Sequence, residues 1–226
     1  MKKFLQLVLA LFIFNFFGCI NYEQETFLGI DGSGSAIIHY WTDHEIIYQD
    51  SSKENKFSFI ESVIKKNFQH PSVKVKKIKI WQEKKDTTFH AEIHIIFDDI
   101  NKLVKTEFYK DEKIEFVDGA PGQKVFKQNL KGIGTQAKEF KKYFIKYIYH
   151  FPGTIISDNA KEKTNNTLIW SFQYTELTND KMLTATVKIP ESKLPNKLII
   201  IILIGLLIVL WIIIIIRFKK RASEIE

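Results

Sequence analysis

The chain has 226 residues, 45% of them hydrophobic and 14% aromatic, with a formal net charge of +7 and a single cysteine. One cysteine excludes an intrachain disulfide and a cysteine-built metal centre. Lys2 and Lys3 at one end, and four bases against two acids after Ile216 at the other, account for +4 of the charge and leave +3 between them. That modest excess sits on a segment carrying export signals, which excludes nucleic acid as a partner.

Residues 1–18 read as a lipoprotein-type signal peptide. Met1-Lys2-Lys3 is a positive start, Phe4 to Phe17 is apolar except for Gln6 and Asn15, and the small Gly18 precedes Cys19. A small residue directly before a cysteine resembles the lipobox of bacterial lipoproteins, in which the cysteine is acylated and becomes the new N-terminus. Phe16 and Phe17 depart from that pattern. The alternatives are a free thiol behind an ordinary signal peptide, or an uncleaved N-terminal anchor.

Residues 19–189 are long enough for one exported domain. Phe27 to Ile30 and Ala36 to Tyr40 flank Asp31-Gly32-Ser33-Gly34, a hairpin signal, because glycine supplies positive φ. Ser51 and Glu54 form a capping-box pair, and Phe57, Ile60, Val63, Ile64, Asn67 and Phe68 then recur at helical steps before Pro71. From Val73 to Ile80 the apolar residues change phase at Lys76-Lys77, which predicts a β-bulge. Phe89–Phe97, Leu168–Tyr174 and Leu183–Ile189 alternate apolar and polar, as half-buried strands do. Tyr143–Phe151 is aromatic on both faces, which fits a central strand. A weaker helical pattern covers Thr135–Lys142.

This order predicts an α+β domain, a curved antiparallel sheet gripped by one or two helices. A short stalk, 190–197, follows. Leu198–Ile216 is then nineteen residues without a charge, long enough to predict a transmembrane helix. The bases among residues 217–226 predict a cytoplasmic tail. The expected location is therefore the cell membrane, single-pass, with the domain outside. Two anchors in one membrane require residues 22 and 189 at the same end of the domain.

Cys19, the turn Asp31-Gly32-Ser33-Gly34, the run Phe151-Pro152-Gly153-Thr154-Ile155-Ile156-Ser157-Asp158-Asn159 and Leu168-Ile169-Trp170-Ser171-Phe172 together resemble the LppM-type domain family of bacterial envelope lipoproteins. The resemblance implies a helix-grip-like fold in the envelope and a hydrophobic ligand, and it supplies no catalytic residues.

The residues themselves point to no enzyme, cofactor or metal. His90 and His94 share a strand face but stand roughly 13 Å apart at ~3.3 Å per residue, too far for one ion. Asp98-Asp99 and Asp111-Glu112 read as solvated turns, and Lys74 to Lys79 as a solvated edge or a contact for anionic headgroups. The functional expectation is a membrane-anchored lipoprotein that binds lipid or another hydrophobic molecule in a pocket lined by Phe89, Phe97, Tyr147, Phe151, Trp170 and Phe172. The alternative is a non-enzymatic scaffold that recruits envelope proteins around a packed core.

Overall fold

The structure is a computed structural model that describes residues 20–43, 56–132, 134, 142–190 and 196–222. The signal segment, Cys19, the capping pair Ser51 and Glu54, most of the expected helix at 135–142 and most of the stalk lie outside the described residues. The chain divides into two compact units, Met1–Ile189 and Pro190–Glu226.

The first unit is built of strands. β1 (Asn21–Leu28) and β2 (Gly34–Thr42) form the hairpin that the glycines predict. Gly32 takes φ +85°, and a Cβ on Gly34 would lie 2.1 Å from the Phe27 carbonyl oxygen, so this turn needs both glycines. β3 (Val73–Gln82) and β4 (Phe89–Phe97) continue the sheet, and the register of β3 shifts between Val75 and Lys77, where the phase change predicts a bulge. β5 (Lys113–Asp118) and β6 (Gln123–Leu130) form a second hairpin. β7 (Phe144–His150), β8 (Thr154–Asp158), β9 (Glu162–Thr164), β10 (Thr167–Gln173) and β11 (Lys181–Lys188) complete the set.

They form two sheets. The larger runs β3-β4-β2-β1-β7-β10-β9 and the smaller β5-β6-β11-β8. β1 and β7 are parallel, and the other pairs are antiparallel. The expected single antiparallel sheet gripped by helices is therefore incorrect. The helix at this point, α1 (Glu61–Asn67), has only seven residues, about 10 Å at ~1.5 Å per residue, and cannot cover seven strands. Phe57 and Phe59 precede it and turn their rings onto Tyr22 and Tyr40. The second cover is the smaller sheet, whose Phe126 packs 4.6 Å from Tyr149 of β7. β11, expected in one sheet with β10, pairs instead with β6 and β8 in the smaller sheet.

The far end also differs. α2 runs over Asn196–Ala222. No helix among the described residues is long and apolar enough to cross a membrane. The expected transmembrane helix at 198–216 is corrected accordingly.

Residues 22 and 189 stand at opposite ends of the first unit. Tyr22 pairs with Tyr40 and Ile145 at the start of β1. At its other end Phe27 pairs with His150, Gly153 lies against the Lys188 carbonyl, and the Ile189 amide donates to Gly122 O at 2.9 Å. Between Tyr22 and Phe27 β1 alone spans roughly 17 Å at ~3.4 Å per residue. The common end required by double anchoring is not found.

Candidate functional site

Alternation decides what faces the space between the sheets. On β1 the inward side chains are Tyr22, Gln24, Thr26 and Leu28, all buried. Two of these are polar at apolar parity, and they start a hydrogen-bonded chain through the interior. Gln24 Oε1 accepts from the Tyr22 hydroxyl at 2.5 Å and from the Tyr109 hydroxyl at 3.0 Å. Gln24 Nε2 donates to Thr26 Oγ1 at 2.9 Å and to the Tyr149 hydroxyl at 3.4 Å. Tyr149 donates to Gln128 Oε1, and Gln128 Nε2 donates to Glu112 Oε2, both at 2.7 Å. Glu112 Oε1 meets Lys56 Nζ at 2.7 Å. Among the described residues no buried side-chain nitrogen or oxygen lacks a partner.

Burial, followed by the charge of Glu112, holds Tyr109, Tyr147 and Tyr149 above the ordinary phenol range. In Tyr22 burial likewise comes first, then Tyr109. These hydroxyls stay protonated, and those of Tyr22, Tyr109 and Tyr149 donate within the chain. No nucleophile paired with a base is found along the chain of bonds.

The six expected pocket residues fall into several separate ring contacts. Phe151 and Trp170 meet around Phe126, at 5.4 and 6.2 Å between centroids. The Trp170 indole donates to Asn159 Oδ1 at 2.9 Å. Tyr147 packs on Tyr22 at 5.4 Å. Phe97 lies under the β1–β2 turn beside Gly34. Phe89 is half-buried against Phe59, and Phe172 is half-buried below Lys161. An open groove of about 770 Å³ lies elsewhere, between Ile30, Asp31, Lys124 and Ile189.

No protein-family model matches the chain, and no curated protein matches it. Among solved structures, the NMR structure of the Mycobacterium tuberculosis LppM folded domain is similar, with a TM-score of 0.45 and 9% identity over 77% of this chain and 92% of that one. This is a distant likeness of fold and places the chain in no family.

The other face of the larger sheet carries its own pattern. Trp81, His90 and Trp41 stand side by side on β3, β4 and β2, and His39 joins them, with its Nε2 3.1 Å from His90 Nδ1. The rings stack, His39 on Trp41 at 4.6 Å and Trp81 on His90 at 4.8 Å. The next row reads Lys79, Glu92, His39, Glu23 and Lys146 across five strands. Among the described residues no group of three or more His, Cys, Asp or Glu is placed to hold a metal. His94 is turned to Glu92 at 2.8 Å.

The buried Glu112, Gln24 and Gln128 are missed by a sequence reading that takes Asp111-Glu112 for a solvated turn. The available signal was polar residues at inward parity: Gln24 between Tyr22 and Thr26, and Gln128 between Phe126 and Leu130.

Proposed function

We propose that this chain is a non-enzymatic interaction domain of the bacterial cell envelope, displayed outside the cytoplasm and tethered by acyl chains on Cys19. One observation carries the reading. The interior between the sheets holds packed rings and a continuous chain of hydrogen bonds from Tyr22 to Lys56, while among the described residues the larger sheet keeps a face and an edge toward solvent. A site for an apolar guest needs an apolar concavity; here the middle of the interior is occupied by bonded amides, phenols and a carboxylate. Burying an unpaired group of this kind costs roughly 1–3 kcal/mol, so opening the network for a lipid is disfavoured.

The test takes the full chain purified from envelopes in mild detergent. Solvent extraction and mass spectrometry are expected to release no equimolar lipid beyond the acyl chains on Cys19. Trp170→Ala is expected to lower stability by about 3–5 kcal/mol, as removal of a packed core ring does. An equimolar lipid in the extract, lost in Trp170→Ala at little cost in stability, would make the hydrophobic-ligand reading the correct one.

A further inference from the structure

β3 is the longest strand, ten residues, and it stands at the edge of the larger sheet with β4 as its one ladder partner. Among the described residues its outer edge carries one isolated bridge, from Val73 to His70, and no ladder, so backbone donors and acceptors beyond Val73 are open to another strand. Its two faces differ. Lys74, Lys77 and Lys79 lie on the solvent face, with Lys76 at the bulge between them. Lys77 reaches Glu92 at 3.1 Å and Lys79 lies over the Trp81 ring at 4.4 Å. Among the described residues Lys74 and Lys76 have no ion pair. On the inner face Val73, Val75, Ile78 and Ile80 are only half-buried, while Ile93 and Ile95 beside them on β4 are 0% and 1% exposed. Among the described residues the core ends at this edge in a row of apolar side chains with one side uncovered.

An added strand sets its side chains alternately beside these two rows. A second copy of β3 would bring lysine against lysine, which disfavours self-pairing. A segment with acids at every other position meets the lysines with opposite charge, and apolar residues between them cover the valines and isoleucines. We propose that β3 accepts an extended, alternately acidic and apolar segment of a partner protein as an eighth strand. This rests on the interaction-domain reading and specifies its partner. Main-chain bonds supply affinity and the alternating side chains supply selectivity.

The experiment titrates the full chain in detergent with a labelled ten-residue peptide alternating Glu and Val. Controls are a Lys-Val peptide, a glutamate homopolymer of equal charge and phosphatidylglycerol vesicles. The Glu-Val peptide is expected to bind at least tenfold tighter than each control and to slow amide exchange along β3. Lys74→Glu/Lys76→Glu is expected to weaken it at least tenfold and to favour the Lys-Val peptide. Equal binding of the homopolymer or of vesicles overturns the proposal, as does binding without protection of β3, or outer β3 amides already protected in the free chain. A photo-crosslinker at Ile156, exposed on β8 of the smaller sheet and so off the sheet that holds β3, separates the two readings. If the peptide fails and Ile156 still captures an envelope protein in cells, the edge assignment falls alone; if both fail, the interaction reading falls with it.

Discussion

Glu112 is 7% exposed and touches both Gln128 and Lys56, so one carboxylate ties the smaller sheet to the segment before α1. In Glu112→Ala the Lys56 ammonium, partly exposed, turns to water, whereas the buried Gln128 amide is left without an acceptor. The expected loss is about 1–3 kcal/mol of unfolding free energy with an unchanged urea m-value. A loss under ~0.5 kcal/mol would mean that water reaches the network. On the opposite face, burial first and then His90 depress His39, and burial depresses His90 against the pull of Asp86 and Glu83. Glu92 and Glu23 also face His39, with Lys79 over Trp81 nearby. A folded-state pKa below the unfolded value of ~6.5 means that the unfolded chain takes up protons first. This contribution to stability is full above that value and is lost as pH falls through the folded pKa. Urea midpoints should therefore drop from pH 7 to pH 5 more in the natural chain than in His39→Gln/His90→Gln; equal drops would remove the pair from the explanation.

At the scale of elements, the bulge in β3 reconciles a sequence out of phase with a sheet of fixed period. Val75 pairs with Ile95 and Lys77 with His94, leaving Lys76 as the extra residue. Deleting Lys76 leaves Val73, Val75, Ile78 and Ile80 alternating with lysines without interruption. The deletion should change stability by less than about 1 kcal/mol, in the range of neutral surface changes. Deleting Ile78 instead shifts the remaining register by one and turns Ile80 outward. Thermal melts of the two deletions should separate clearly, and similar melts would show that β3 pairing contributes little. The phase change is visible in the residues because side-chain period two is local.

For the whole molecule, the position of Ile20 matters. It is 1% exposed and β1 begins at the next residue, so acyl chains on Cys19 would hold the Tyr22 end of the domain against the headgroups without a spacer. One acyl chain gives marginal anchoring and two give stable anchoring. The intact mass of the N-terminal peptide should show a modified Cys19, absent in Cys19→Ser; a free thiol would remove the tether. With the tether in place, a polarity-sensitive dye at Asp43, beyond β2 at the Tyr22 end, should report headgroup contact. A dye at Gly122, beside Ile189, should report water. The reverse pattern would place the domain the other way up.

Local information was legible in the chain. The glycine turn, the strands near 89–97 and 168–174, the bulge and the core role of Trp170 follow from φ preferences and two-residue alternation, which involve neighbours in sequence. Sheet membership did not follow, because nothing in Leu183–Ile189 distinguishes a strand paired with β10 from one paired with β6 and β8. The shortness of α1 was equally hidden: Phe57 has helical spacing with Ile60, Ile64 and Phe68, yet the helix begins only at Glu61, after Phe57 and Phe59 have packed on Tyr22 and Tyr40. The candidate pocket rested on aromatic residues at inward parity. Parity was enough to bury Phe97, Tyr147, Phe151 and Trp170. The polar chain beside them was not legible, because Gln24, Glu112 and Gln128 come from three distant segments and hydrogen bonds between such segments exist only once the sheets have closed on each other.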